Sequence, residues 1–363
     1  MNDHETDTPE LASCSRRTFI SGLAATAIAA AACTNVLAAS AGSIGGKNTD
    51  ATAVGTSTAT RSGKSPLTKL NNGVDMPVFG VGTFALPTFQ AADVISFALT
   101  NGYRLIDTAT NYGNEKAVGE GIVRSGVNRS DLFITTKLWI EDYGYDEAMR
   151  AFDRSLNALG LDYLDLYLLH WPVPTDFNKT IAAYKAMEKL YADKRIRAIG
   201  VSNFQPSHLK ILMDSTKIAP VLNQIELHPY MSQESVREAN ERYGVKTESW
   251  SPIGGVFVSL PKDPTNPVRV LEDPTIVNLA QKHRKTTAQI VLRWHCQQGR
   301  IVMPKSQHYE RLLANIEIFD FELTVDEMAA IDTLNRDLRG GPDPRSFDIP
   351  AFKAIVEKRK AGV

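Results

Sequence analysis

The sequence predicts one α/β domain, a (β/α)8 TIM barrel preceded by an N-terminal β-hairpin. Three observations carry that expectation. From Leu67 onward, short apolar runs alternate with amphipathic helical patterns, and strict strand–helix alternation implies parallel strands with right-handed crossovers. Eight such units over about 270 residues match a closed barrel. Reactive side chains fall directly after the runs: Asp107, Lys137, His170, Ser202 with Asn203, Gln224, Trp250 and Lys305 follow the second to the eighth. The carboxyl ends of barrel strands converge on one face, where barrel enzymes keep their active sites. The rival, an open doubly wound sheet, lacks its signature. No Gly-x-Gly-x-x-Gly follows the first strand, and GVGTFALP runs into a proline instead of a phosphate-cradling helix start.

At 363 residues, 43% hydrophobic and 22% charged, the chain holds enough apolar material for one large core or two ordinary domains. A formal net charge of -1, with Lys and Arg scattered along the chain, supplies no basic field, so nucleic acid is not an expected partner. Of the three cysteines, Cys14 and Cys33 lie in the atypical N-terminus. Cys296 stands alone in the helical pattern AQIVLRWHCQQ, so it has no disulfide partner there and reads as a small packing residue.

Residues 1–41 read as an address. SRRTFI, Ser15 to Ile20, precedes a mild alanine-rich stretch from Gly22 to Ala32, the order of a twin-arginine signal peptide. That stretch is too short and too weakly apolar for a stable membrane span, which takes roughly 20 strongly apolar residues. Ala38, Ala39, Ser40 and Ala41 offer several cut positions. A disordered tail with a chance Arg pair and a lipoprotein cut before Cys33 are the alternatives. The twin-arginine export machinery is thus an expected partner, and the periplasm or exterior the expected location, with the cytoplasm as the alternative. Residues 42–64, rich in Ser, Thr, Gly and Ala without periodicity, read as a flexible linker.

The barrel is expected over residues 65–348. It opens with TKLNNGVDMP, where a polar Asn-Asn-Gly turn between two extended runs predicts the hairpin. Strands are predicted near 78–82, 103–106, 132–135, 165–169, 197–201, 221–224, 245–249 and 301–303. Between them AADVISFALTNG, EAMRAFDRSLNALG and IAAYKAMEKLYAD are apolar at helical spacing, several of these patterns closing on Gly or Asp. Residues 349–363 are set apart as a C-terminal tail, and GPDPRSFDIP is placed to fold over the mouth.

Seven motifs together resemble one family: GYRLIDTATNYGNEKAVG (102–119), TTKLW (135–139), LLHWP (168–172), IGVSNF (199–204), NQIELHP (223–229), SWSPIG (249–254) and MPKSQHYERLLAN (303–315). The chain is similar to the aldo-keto reductases over about residues 66–348, and among them to the bacterial 2,5-diketo-D-gluconate reductase-like members. The resemblance implies NADPH-dependent reduction of a small carbonyl. It carries the catalytic four over to Asp107, Tyr112, Lys137 and His170. Their chemistry is coherent without it. Negative charge builds on a carbonyl oxygen as hydride arrives, so a proton donor is required there. The Tyr112 phenol, with an unperturbed pKa of about 10, needs a nearby cation to stabilise its phenolate, and Lys137 supplies one. Asp107 can hold that ammonium by a charge-assisted pair, and His170 can orient the carbonyl.

The same face offers a cofactor site. Ser202, Asn203 and Gln224 suit the nicotinamide carboxamide, Trp250 a ring-stacking surface, and Ser251 lies beside them. Lys305 and Ser306 are expected at a helix entrance, where backbone N–H groups attract phosphate, with Arg311 and Asn315 at i and i+4 facing the adenosine end. A Lys and an Arg aimed together favour the 2′-phosphate of NADPH. Phe84, Trp139, Trp171 and Phe204 are expected to form an apolar collar suited to small aldehydes, ketoaldehydes or keto-sugars. Ile140 departs from the polar Asn of diketogluconate-like relatives. Glu115 and His228 read as structural, and the remaining histidines lack metal-ligand spacing, so no metal is expected. A monomer is expected. An exported sugar or alcohol dehydrogenase working oxidatively and a cofactor-binding redox-sensing subunit are the competing functions.

Overall fold

The computed structural model describes residues 63–259, 265 and 268–360. The expected twin-arginine leader and all but the end of the expected linker therefore lie outside the described residues. The linker's last residues are tied to the barrel: Lys64 N–H donates to Gly102 O at 3.1 Å, and its ammonium pairs with Glu317.

Strands β1 (Leu67–Lys69) and β2 (Asp75–Pro77) pair antiparallel around the Asn-Asn-Gly turn, where Gly73 takes φ 85, a backbone that favours glycine. The barrel strands are β3 (Val81–Gly82), β4 (Leu105–Asp107), β5 (Phe133–Leu138), β6 (Leu166–Leu169), β7 (Ile199–Ser202), β8 (Leu222–Glu226), β9 (Lys246–Trp250) and β10 (Ile301–Met303). Each pairs parallel with the next in sequence, the order expected of a singly wound barrel. Closure falls between first and last. Phe79 bridges Val302 in parallel, Val302 N–H donates to Val78 O, and Gly80 N–H donates to Val302 O, both at 3.0 Å. The regular part of β3 is thus shorter than predicted, while the residues ahead of it already serve the seam.

Helices α1 (Thr88–Thr100), α2 (Glu115–Ser125), α3 (Tyr145–Leu159), α4 (Phe177–Ala192), α5 (Pro206–Ser215) and α6 (Glu234–Arg242) follow β3 to β8 in turn. After β9 come α7 (Val256–Ser259), α8 (Pro274–His283) and α9 (Thr287–Gln297); α10 (Tyr309–Ile316), α11 (Val325–Asp332) and α12 (Ile349–Lys360) follow β10. The segment set apart as a tail is therefore helical over α12. Local chemistry fixes several ends: Thr286 and Gln289 form a capping box on α9, and α3 carries Asp146 and Glu147 in its first turn and left-handed Gly160 at its end.

Apolar side chains fill both sides of the strand ring. Outside, Ile95, Val118, Phe152, Tyr184 and Met187 seat the helices on the strands. Inside, Leu105, Phe133, Leu166, Leu168, Leu222 and Ile301 meet Leu70 and Met76 of the hairpin, which plugs the amino end. The turn asparagines lock that plug: Asn71 donates to Pro220 O at 2.9 Å and Asn72 to Arg197 O at 3.0 Å. With the amino end stoppered and the middle packed, the carboxyl end is left for polar side chains.

Candidate active site

Asp107 ends β4 and Lys137 lies one residue before the end of β5. The Lys137 side chain is wholly buried, and its ammonium donates to Asp107 Oδ2 at 2.6 Å, Thr108 O at 3.0 Å and Tyr112 Oη at 3.2 Å. Three acceptors for three N–H groups is what makes a buried ammonium tolerable. Burial alone would lower its pKa, but the Asp107 carboxylate and the Tyr112 oxygen more than offset that and raise it. Lys137 is a fixed cation.

Tyr112 closes a short 3-10 turn after β4, which ends at left-handed Gly113 with φ 68. The Thr110 hydroxyl in that turn donates to Lys137 O at 3.0 Å, which seats the phenol against the ammonium. Desolvation raises the phenol's pKa, Lys137 lowers it and Asp107 raises it, with a net rise. This corrects the sequence argument, in which the cation alone made the phenol more acidic: burial outweighs it. The phenol stays protonated at neutral pH, and the ammonium acts on the phenolate only as that charge forms.

His170 follows β6. Burial and the Lys137 charge both hold its pKa well below the usual histidine value, so the ring is neutral. It meets Tyr112 edge-on at 5.8 Å and Trp139 edge-on at 5.0 Å, and it lies near-parallel to Trp171 at 6.4 Å. Its buried Nδ1 has no hydrogen-bond partner among the described residues.

On the other side of Asp107, Gln224 Nε2 donates to Asp107 Oδ1 at 3.0 Å and also to Glu248. Glu248 is a wholly buried acid that sequence reasoning passed over. Burial and the Asp107 carboxylate push it up to about 8. The signal was present in KTESW, a charged residue at an inward position of a short strand.

Ser202 and Trp250 end β7 and β9, Asn203 follows Ser202, and Gln224 lies in the middle of β8, two residues deeper than the strand end expected from the sequence. Asn203, left-handed at φ 66, donates to His170 O at 3.0 Å and to Ser202 Oγ at 3.1 Å, and accepts from Trp250 Nε1 at 2.9 Å. The Ser202 hydroxyl donates to Gln224 O at 2.9 Å. The Gln224 side-chain carbonyl accepts from no donor among the described residues. Trp250 is half-buried, held by its indole N–H, so its ring can serve as a platform. Ser251 instead turns its Oγ to Val256 N–H at 2.6 Å, capping the loop.

The phosphate end differs from expectation in one respect. α10 begins at Tyr309, not at Lys305 or Ser306, because the Ser306 hydroxyl closes a local turn with His308 N–H at 3.0 Å. Partial burial lowers the Lys305 pKa. Arg311 is exposed and Asn315 buried on α10, and neither these two nor Lys305 has a side-chain partner among the described residues. A free amide carbonyl, a half-buried indole face and two unpaired cations fit a phosphorylated nicotinamide nucleotide.

Three of the four collar aromatics line the mouth. Phe84 is 42% exposed and edge-on to Tyr112 at 5.2 Å; Trp139 and Trp171 flank His170. Phe204 is the correction. It is wholly buried against Phe177 and His208, each 6.1 Å away, because Asn223 accepts from its N–H and donates to its carbonyl and so turns the ring outward from the mouth. Phe347 takes a place in the collar that sequence reasoning did not assign, 4.2 Å from Trp171, and Phe352 of α12 lies 4.8 Å from Trp139. The strap leading there is anchored by Glu226, which accepts from Gly340 N–H at 2.6 Å and Gly341 N–H at 3.0 Å; a side chain at Gly341 would run into the Trp250 ring.

Glu115 accepts from Thr136 at 2.6 Å and Ser155 at 3.3 Å, and His228 meets Glu226 at 3.1 Å, both inside the framework. Among the described residues, no three His, Cys, Asp or Glu side chains are grouped to hold a metal ion, and no helix is long and apolar enough to cross a membrane. Burial pushes the thiol of the half-buried Cys296 up to about 12.

Comparison with known proteins gives the family and the fold. The aldo/keto reductase family profile matches residues 78–336. The morphine 6-dehydrogenase of Pseudomonas putida is 50% identical over 295 residues, 81% of this chain and 99% of that protein. The glyoxal reductase of Bacillus subtilis is 45% identical over 277 residues, 76% of this chain and 95% of that protein. A Bombyx mori aldo-keto reductase solved in complex with NADP superposes with a TM-score of 0.71 at 34% identity, covering 80% of this chain and 97% of that one.

Proposed function

The chain belongs to the aldo/keto reductase family, and from that premise we propose that it reduces small aldehydes, ketoaldehydes or keto-sugars with NADPH, with Tyr112 as the proton donor. The observation that carries the reading is the single ammonium of Lys137 held between Asp107 at 2.6 Å and the Tyr112 hydroxyl at 3.2 Å, beside a neutral His170. Bound NADPH supplies the hydride. The residues do the rest. His170 and Tyr112 hold the carbonyl oxygen between them, and the phenol passes its proton to that oxygen as negative charge accumulates. Lys137 stabilises the phenolate left behind, and Asp107 acts as a positioning residue that keeps the ammonium charged and aimed. The collar of Phe84, Trp139, Trp171 and Phe347 excludes water from the reacting oxygen, which strengthens each of these interactions.

Gln224, Ser202 and Asn203 are assigned to the nicotinamide carboxamide, Trp250 to the ring face, and Lys305, Arg311 and Asn315 to the phosphorylated adenosine end. Trp250 supports the likeness to the diketogluconate reductase branch, whereas the buried Ile140 sets the chain apart from it. The oxidative alternative also has support, since the relative at 50% identity is named as a dehydrogenase. The SRRTFI leader motivates a further proposal: the protein is exported through the twin-arginine route, folded and carrying its cofactor.

Steady-state turnover with NADPH on methylglyoxal, diketogluconate, glyceraldehyde and nitrobenzaldehyde, and with NADP+ on the matching alcohols, tests the direction and the class. Tyr112→Phe is expected to lower the rate at least about a hundredfold while leaving NADPH affinity nearly unchanged. A Tyr112→Phe protein that kept most of its turnover would remove Tyr112 from the role.

A further inference from the structure

Glu248 has no part in the mechanism above, and the inference drawn from it rests on the reading of this mouth as a nicotinamide site. It lies wholly buried on β9, in register with Gln224 of β8 on one side and Ile301 of β10 on the other. One of its oxygens accepts from Gln224 Nε2, and the other is buried with no partner among the described residues. The same Nε2 donates to Asp107 Oδ1 at 3.0 Å. Both N–H groups of the Gln224 amide are thus taken by carboxyl groups, which fixes the rotation of the amide and leaves its carbonyl as the free end.

Charge in this layer is uneven. Asp107 of β4 and Lys137 of β5 act on Glu248, and Tyr112, from the turn after β4, feels its charge in return; Gln224 and Ile301 on the flanking strands are uncharged. The Lys137 ammonium is already paired with Asp107 at 2.6 Å. A second carboxylate would therefore sit in the barrel without a counter-charge, so the group of two carboxyls and one ammonium is most stable with one carboxyl protonated. Glu248 is the one with an unpartnered oxygen to carry the proton.

We propose that Glu248 holds a proton beneath the nicotinamide site and that its charge state sets the relative affinity for the two forms of the cofactor, the neutral carboxyl favouring NADPH and the carboxylate favouring NADP+. The nicotinamide ring is uncharged when reduced and positive when oxidised. A carboxylate one hydrogen-bonded residue below it, in a low-dielectric interior, stabilises the cation and does nothing comparable for the neutral ring. By linkage, replacing NADPH with NADP+ releases the Glu248 proton to bulk water, with no electron transfer in that exchange. A Glu248 carboxylate also holds the Tyr112 phenol up and weakens it as a donor, so the neutral form serves reduction in two ways.

Quenching of tryptophan emission gives dissociation constants for NADPH and NADP+ from about pH 6 to about pH 9.5, a span that brackets the raised carboxyl. In the wild type, the preference for NADPH over NADP+ falls about tenfold as pH rises through the Glu248 transition. In Glu248→Gln, which keeps the shape and the neutral charge, that preference stays constant. Taking the ratio cancels the titration of the 2′-phosphate, which both nucleotides carry. Should Glu248→Gln fail to fold, calorimetry of the wild type in buffers of different ionisation enthalpy gives the same information: near the transition, NADP+ binding releases more protons than NADPH binding. A flat ratio in the wild type, a pH-dependent ratio unchanged in Glu248→Gln, or equal proton release overturns the proposal and leaves the reading of the site intact. Binding of neither nucleotide overturns both.

Discussion

Replacing Lys137 with Met removes one charge from the centre of the site and keeps most of the side-chain volume. The ammonium lies 3.2 Å from the Tyr112 oxygen. At that separation, opposite unit charges attract by about 5 kcal/mol when the effective dielectric is about 20. Allowing half of that for water and dipoles that take over in its absence leaves ~2.5 kcal/mol lost from the developing phenolate, close to a hundredfold in rate. The substitution also strands Asp107, 4% exposed, without its cation, and an uncompensated buried charge costs about 3–5 kcal/mol of stability. Lys137→Met is therefore assayed beside Lys137→Met with Asp107→Asn, which removes the stranded charge. Denaturant melts should show the double variant more stable than the single one. Stopped-flow single turnovers with saturating NADPH should show both slowed by roughly fifty- to a hundredfold. If the double variant, once stabilised, recovers turnover to within about fivefold of the wild type, Lys137 acts only by balancing Asp107, and the phenolate argument is wrong.

Three further outcomes are expected. Arg311→Ala should weaken NADPH by about 1.5–3 kcal/mol, the usual worth of a charged hydrogen bond, and leave NADH almost unaffected; equal weakening of both by equilibrium titration would show that Arg311 reads no 2′-phosphate. At the opposite end of the barrel, the Asp165 side chain is wholly buried with Arg129 at 2.7 Å, Arg197 at 2.5 Å and the Ile134 N–H at 2.9 Å. Asp165→Asn should cost about 3 kcal/mol in urea denaturation without altering KM, and a loss below about 0.5 kcal/mol would mean that solvent screens the network. Arg16→Lys combined with Arg17→Lys should leave an active, full-length precursor in the cytoplasm on cell fractionation, and wild-type protein found there uncleaved would end the export proposal.

The alternation of strands and helices was legible in the sequence because a packed barrel needs an apolar run in every strand. The residues singled out near the carboxyl end of those runs, Asp107, Lys137, His170, Gln224 and Trp250, are brought to one side of the barrel, although β5 and β8 run on past Lys137 and Gln224. Information about direction within the loops was less accessible. Phe204 has the composition of a collar residue, but its orientation depends on Asn223, nineteen positions away on another strand. Phe347 carried no local mark, because its place opposite Trp171 is set by Glu226 gripping the Gly340–Gly341 backbone. The net effect of burial on Tyr112 and Glu248 depends on the density of the surrounding fold. A strand pattern reports that a residue points inward and leaves open how many charges it will meet there.

The seam between Phe79 and Val302 has a consequence for how the chain reaches its native state. The two edges that close the ring come from opposite ends of the barrel sequence, so every intermediate lacking the segment at Ile301–Met303 presents two open edges, one on β3 and one on β9. Such edges invite pairing with other chains, and contacts of this sequence separation make for slow folding. A nascent chain cannot protect itself until synthesis has passed β10. The hairpin that will stopper the amino end must meanwhile wait for the ring it plugs, and a chain truncated before Ile301 should gather in aggregates instead of persisting as a smaller soluble barrel.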